Sequence, residues 1–329
     1  MTATIPVVAP AAPVQHKWMI TISVMLAAIM QALDTTIANV ALPHMQGSMS
    51  ATHDQISWVL TSYIVAAAIA MPLTGFVSDR FGRKRLFVWS VVGFTLTSML
   101  CGAAQNLPQI VTFRILQGIF GAALVPLSQS VLLDVYPKEK HASAMALWGI
   151  GIMLGPIIGP TLGGWLTEYY SWRWVFYINL IFGIMALVGI LAFVKETKIR
   201  HDRRFDLLGF AFLSLGIGAL QLMLDRGETQ DWFNSHEIII ELTLVILGFY
   251  WFISHTVENG DELRAKFMRM KTINEYVLNL GIVYRRYLTS NSSVLATLNT
   301  GPMYIDTETD QMTAISPRVG HEQTGSLVL

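Results

Sequence analysis

Cysteine and charge are what this chain has least of. Of 329 residues one is cysteine, Cys101, and 13% are Asp, Glu, Lys or Arg, against about 25% in an ordinary soluble domain. A single thiol excludes an intramolecular disulfide, and with no CxxC pair or Cys/His cluster no metal centre is expected. Cys101 lies in an apolar run and reads as core packing. Net charge is missing too, because 22 basic and 22 acidic side chains cancel; the global field that attracts nucleic acid is absent, and no nucleic-acid partner is expected. HExxH, GxSxG and phosphate-loop patterns do not occur, so the sequence reads as a non-enzyme without a cofactor. What it has in quantity is apolar surface: 53% hydrophobic residues and a mean hydropathy of +0.49. Such a chain belongs in a bilayer.

A bilayer core needs about 20 mostly apolar residues per helix. Eight segments qualify, near 18–42, 56–77, 86–105, 109–133, 142–166, 172–194, 207–224 and 237–254. The Lys/Arg excess in the connections sets orientation. Arg80, Arg83, Lys84 and Arg85 follow the second span, Lys138 and Lys140 the fourth, and Lys195, Lys198, Arg200, Arg203 and Arg204 the sixth, whereas the odd connections carry only Arg173 and Arg226. Both ends of the chain are therefore expected on the cytoplasmic side. The expected organisation is a disordered cytoplasmic arm at 1–16, a six-helix bundle at 17–194, a basic loop at 195–206, an appended transmembrane hairpin at 207–257 and a non-spanning cytoplasmic tail at 258–329.

Three clusters of residues suggest mechanism. In the first span, QALDTTIANVALP places Gln31, Asp34 and Thr35 on one helix face. A carboxylate inside a bilayer is costly and should face a partner or a wet cavity. Arg114 in the fourth span is a partner at comparable depth: roughly 9 Å from the helix end near Pro108, against roughly 13 Å from Pro43 for Asp34, at 1.5 Å per residue. The pair reads either as a proton relay or as a fixed ion pair bracing two helices. Between the second and third spans stands GFVSDRFGRKR, where Gly75 should permit close helix approach and Gly82 a tight turn. In the fifth span, Gly151, Gly155, Gly159 and Gly163 recur every four residues, a smooth face for a neighbouring helix, and Pro156 and Pro160 favour bending. The plain alternatives are a topology signal for the loop and generic small-residue packing for the helix.

These segments carry a resemblance. The loop resembles the cytoplasmic signature of the major facilitator superfamily, G-x-x-x-D-R-x-G-R-K/R, with Gly75, Asp79, Arg80, Gly82, Arg83 and Lys84 in place. RILQGIFGA resembles the family's second signature, which implies a role near the proton pathway for Arg114, Gln117 and Gly118. GIGIMLGPIIGPTLGG resembles the antiporter motif G-x-x-x-G-P-x-x-G-G through Gly151, Gly155, Pro156, Gly159, Gly163 and Gly164, with Pro160 as a departure. LDTTIANVALP and ALQLMLDRGETQDWF are similar to the fourteen-span EmrB/QacA type, in which two extra spans join two six-helix halves.

The resemblance implies an all-α membrane protein: the six-helix amino-terminal bundle plus two additional transmembrane helices, over about residues 17–257, with the carboxyl-terminal half missing. It further implies proton-coupled efflux of hydrophobic or cationic drugs across the cytoplasmic (inner) membrane by alternating access. Asp34 and Arg114, with Gln31 and Gln117, would couple protons to substrate, and the Gly75–Lys84 loop would latch one conformation. Protons, drugs, membrane lipid and a periplasmic membrane-fusion adaptor are the implied partners. Asp206, Asp225 and Glu241 read as helix-end or interfacial residues. The alternative is a truncated, non-transporting fragment or a half-transporter that must oligomerise.

Overall fold

The computed structural model describes residues 16–197 and 205–259, so the expected arm before residue 16, most of the basic loop and the expected tail lie outside the described residues. Ten α-helices run through them: α1 (Lys17–Met49), α2 (His53–Ala70), α3 (Leu73–Phe81), α4 (Arg83–Ala103), α5 (Leu107–Gly121), α6 (Leu124–Val135), α7 (His141–Tyr169), α8 (Trp174–Phe193), α9 (Leu207–Arg226) and α10 (His236–Asn259). Among the described residues seven helical stretches are long and apolar enough to cross a bilayer, α5 and α6 forming one of them. The bent pair α2–α3 makes an eighth. The protein is an all-helical, multi-pass membrane protein.

Proline acts differently from span to span. Pro43 stands inside α1, which runs past the expected end near residue 42 and stops only where Ser50 turns left-handed (φ 50°, ψ 39°). Thr52 and Gln55 then form a reciprocal capping box that starts α2. At Met71–Pro72 the second span bends by 56°, where proline's missing N–H removes one helix bond. Pro126 similarly follows the break at Ala122–Ala123 between α5 and α6. Pro156 and Pro160 leave α7 uninterrupted.

The first span is the hub. α1 lies against α7 on one side and α8 on the other and also touches α2 and α6, while α4 bridges α5 and α8. Its first half packs in one apolar core with Phe87, Phe94 and Leu132. Its second half packs in another with Ile56, Ile110 and Phe176. Asp34 lies where the two meet. The α7 glycines face α1 as their spacing predicts: a Cβ at Gly151, Gly155, Gly159 or Gly163 would press on Met25, Ala32, Thr36 or Ile37 respectively. Gly75 is a correction, since space is open there and the close approach expected of it does not occur; space is open at Gly164 as well.

The hairpin is seated rather than merely appended. α9 lies along α2 and α10 along α9. Thr61 donates to the Asp225 carboxylate, Arg226 stacks over Trp58 at 5.4 Å, and Phe205 meets Phe76 of α3 with ring centroids 4.8 Å apart.

Candidate functional site: a buried carboxylate held by three donors

Asp34 is 1% exposed and Arg114 fully buried. Arg114 Nη1 donates to Asp34 Oδ2 at 2.6 Å. The other carboxylate oxygen, Oδ1, accepts from Gln117 Nε2 at 2.9 Å and from Asn179 Nδ2 at 2.6 Å. The carboxylate on α1 is thus gripped by two donors from α5 and one from α8. Around it the network extends to groups of α2 and α4, although Arg114 Nη2 and Asn179 Oδ1 are buried without a hydrogen-bond partner among the described residues. Arg114 Nε donates to the Val59 carbonyl of α2 at 2.9 Å and Nη1 also reaches Gln117 Oε1 at 3.0 Å, while the Tyr63 ring lies 4.2 Å beneath the guanidinium. Asn179 Nδ2 also donates to Ser98 Oγ at 2.9 Å, and Ser98 donates on to the Phe176 carbonyl at 2.9 Å. Cys101 Sγ donates to Gln117 Oε1 at 3.4 Å, so the lone thiol belongs to this polar layer as well as to the core.

An ionised carboxylate only accepts hydrogen bonds, whereas a protonated one must donate through one oxygen. The three groups that contact Asp34, from α5 and α8, are all donors, and its carboxylate accepts every one of these bonds. Separating the two charges without a proton would leave one of them bare in a low-dielectric interior, at a cost of about 3–5 kcal/mol.

Of the residues singled out by sequence, Asp34, Arg114 and Gln117 meet directly. Gln31 does not join them. It is half-buried on the neighbouring turn of α1, where it approaches the Tyr63 hydroxyl without closing a hydrogen bond. Asn179, Ser98 and Tyr63 escaped the sequence reading; the signal was an amide in the middle of the apolar run VFYINLIFG. The antiporter glycines touch the site from outside, through the stretch of α1 that flanks Asp34, and Thr36 Oγ1 donates to the Gly155 carbonyl at 3.2 Å.

The Gly75–Lys84 segment forms a separate structure at the α3–α4 joint. Gly82 adopts φ 95°, ψ 145°, a backbone that side chains other than glycine rarely take. Asp79 and Arg80 fall in the last turn of α3. Arg83 pairs with Asp134 of α6 at 2.5 Å. The first turn of α4 is capped from the far end of α8: Glu196 accepts from the Lys84 and Arg85 backbone N–H groups at 3.0 and 3.2 Å, and Thr197 from that of Arg83 at 3.2 Å. A carboxylate there meets both the orphan N–H groups and the positive end of the helix. Glu196 and Asp134 were not singled out in the sequence. In the hairpin, Asp206 is a true helix-end residue, accepting from the Gly209 N–H at 2.9 Å. Glu241 lies five residues into α10, 9% exposed and facing Arg226 of the last turn of α9.

Comparison with known proteins agrees with this architecture. The chain is 43% identical over 234 residues to the multidrug export protein EmrB of Escherichia coli, covering 71% of this chain and 46% of that protein. It is 43% identical over 236 residues to the fatty acid resistance protein FarB of Neisseria gonorrhoeae, covering 71% and 46%. It therefore spans about half the length of the curated relatives it matches. Among solved structures, the partially occluded inward-open xylose transporter XylE from E. coli superposes with a TM-score of 0.51 at 15% identity, over 76% of this chain and 61% of that one. A peptide transporter, POT, gives 0.51 at 14% identity over 68% and 48%. The chain shares sequence likeness with proteins of the EmrB type, the sequence profile of the Major Facilitator Superfamily matches residues 24–261, and the chain belongs to that superfamily.

Proposed function

We propose that this chain supplies the proton-binding half, with its linking hairpin, of a multidrug exporter of the cytoplasmic membrane, its Lys/Arg-rich connections and both termini facing the cytoplasm. The observation that carries the reading is the three-donor grip on Asp34. It supports a carboxylate that exchanges its proton only when α1, α5 and α8 shift, which is what an alternating-access antiporter requires. Relatives named for multidrug export and fatty acid resistance suggest apolar or amphipathic substrates. The smooth α1–α7 contact would let the helices slide beside Asp34, and the Arg83–Asp134 and Glu196 contacts would hold the α3–α4 joint in one state. A periplasmic adaptor and membrane lipid complete the expected partners.

The test is efflux of ethidium from proteoliposomes driven by an imposed pH gradient. Asp34→Asn should abolish the pH-driven component while the protein still inserts, and pH-driven efflux retained in the variant would overturn the assignment.

A further inference from the structure

The hairpin holds a second carboxylate in an unusual position. Glu241 lies five residues after the start of α10, roughly 7.5 Å along the helix axis, and is 9% exposed. Its Oε1 faces Arg226 Nη1 at 3.4 Å, but the same guanidinium holds the exposed Glu237 more closely, Nη2 to Oε2 at 2.9 Å. One cation is shared by two acids. Glu241 Oε2 is buried with no hydrogen-bond partner. Arg226 and Glu237 are the charged groups acting on Glu241; the Trp232–Asn234 turn packed on α10 brings none, and Asp225, the other acid at this end of α9, is engaged by Thr61 of α2.

A buried anionic oxygen without a donor costs more than a neutral carboxyl, which needs fewer partners. With Arg226–Glu237 already balanced, the surplus charge is the one on Glu241. We propose that Glu241 is a second proton-exchanging carboxylate, carried by the linking hairpin and separate from Asp34. Its proton comes from bulk water past the exposed Glu237 and returns the same way, so that a carboxylate and a hydronium become a carboxylic acid and water. The exchange acts on α2. Losing the proton draws Arg226 toward Glu241, and the other face of Arg226 rests on Trp58, whose neighbour Val59 offers its carbonyl to Arg114.

Infrared spectroscopy of the full chain in nanodiscs tests this directly. A carboxylic-acid band that titrates reversibly should be lost in Glu241→Gln and persist in Glu237→Gln and in Asp34→Asn. The last comparison separates this proposal from the role given to Asp34, since either can fail alone. The pH-dependent part of tryptophan emission that Trp58→Phe removes should also vanish in Glu241→Gln. An unchanged band in Glu241→Gln, or an emission titration that survives the substitution, would overturn the proposal.

Discussion

At the scale of single residues, Asn179 completes what Arg114 leaves undone. Arg114 satisfies one oxygen of Asp34, and the other would rest on Gln117 alone without the amide of α8. Asn179→Ala should lower the thermal unfolding temperature of the purified protein by the equivalent of about 1.5–3 kcal/mol, the usual contribution of a hydrogen bond to a charged group. Asn39→Ala, on the exposed side of α1, should stay within about 0.5 kcal/mol and serves as the control. The same residues show why the site was only partly legible in the sequence. Asp34 and Arg114 stand out because charge inside an apolar run is costly and rare. A neutral amide interrupts hydropathy too little to be noticed, although it bonds as closely as the arginine does. Gln31 shows the opposite error: helical spacing establishes which face a side chain shares, and only packing decides whether that neighbour is Arg114 or Tyr63.

At the scale of elements, the four-residue glycine period of α7 was legible because it is a property of one helix, and its partner had to be a helix approached closely. Its exact neighbour was not legible; α1 was chosen by the whole bundle. Gly159→Val should force the side chain of Thr36 aside and loosen the α1–α7 contact, lowering stability by about 1–3 kcal/mol as overpacking does. Gly164→Val, where space is open, should leave stability nearly unchanged. Thermal unfolding of the two variants side by side decides the matter, and equal losses would mean that the glycines serve only helix flexibility. The joint between α3 and α4 teaches the same lesson. Gly82 was readable as a turn, but Glu196, over a hundred residues on and beyond the last span of the bundle, gave no local sign that it caps α4. Proline was the least readable, since bending at Pro72 and uninterrupted helix through Pro43 depend on what fills the space beside each.

At the scale of the whole molecule, the hairpin is fastened to the bundle along one helix and to itself at both ends. At the end near residue 205, Asp206 caps α9 and meets His255 of α10 at 2.8 Å. The Gly209 N–H holds the Asp206 carboxyl below the usual carboxylate range, burial opposes this slightly, and His255 adds to it. A carboxyl whose folded value is depressed contributes stability that is present above its unfolded value and lost as pH falls through the folded one. Asp206→Ala should therefore speed hydrogen exchange in the first turn of α9 at neutral pH, by the equivalent of about 0.5–2 kcal/mol, toward the lower figure because the side chain is 58% exposed. The difference should close as the medium is acidified below the ordinary carboxylate range. A gap that persisted in acid would assign the effect to packing instead of charge.

The scarcity of cysteine acquires a use from where the one thiol lies. Cys101 is fully buried and bonded to Gln117, one side chain away from Asp34. Buried there, it is out of reach of a maleimide, and only a motion that opens both the polar layer and the apolar cluster around it would uncover the sulfur. The native chain thus carries its own chemical clock: the rate at which Cys101 is alkylated counts the openings of the site, with no engineered label and no other thiol to confuse the count.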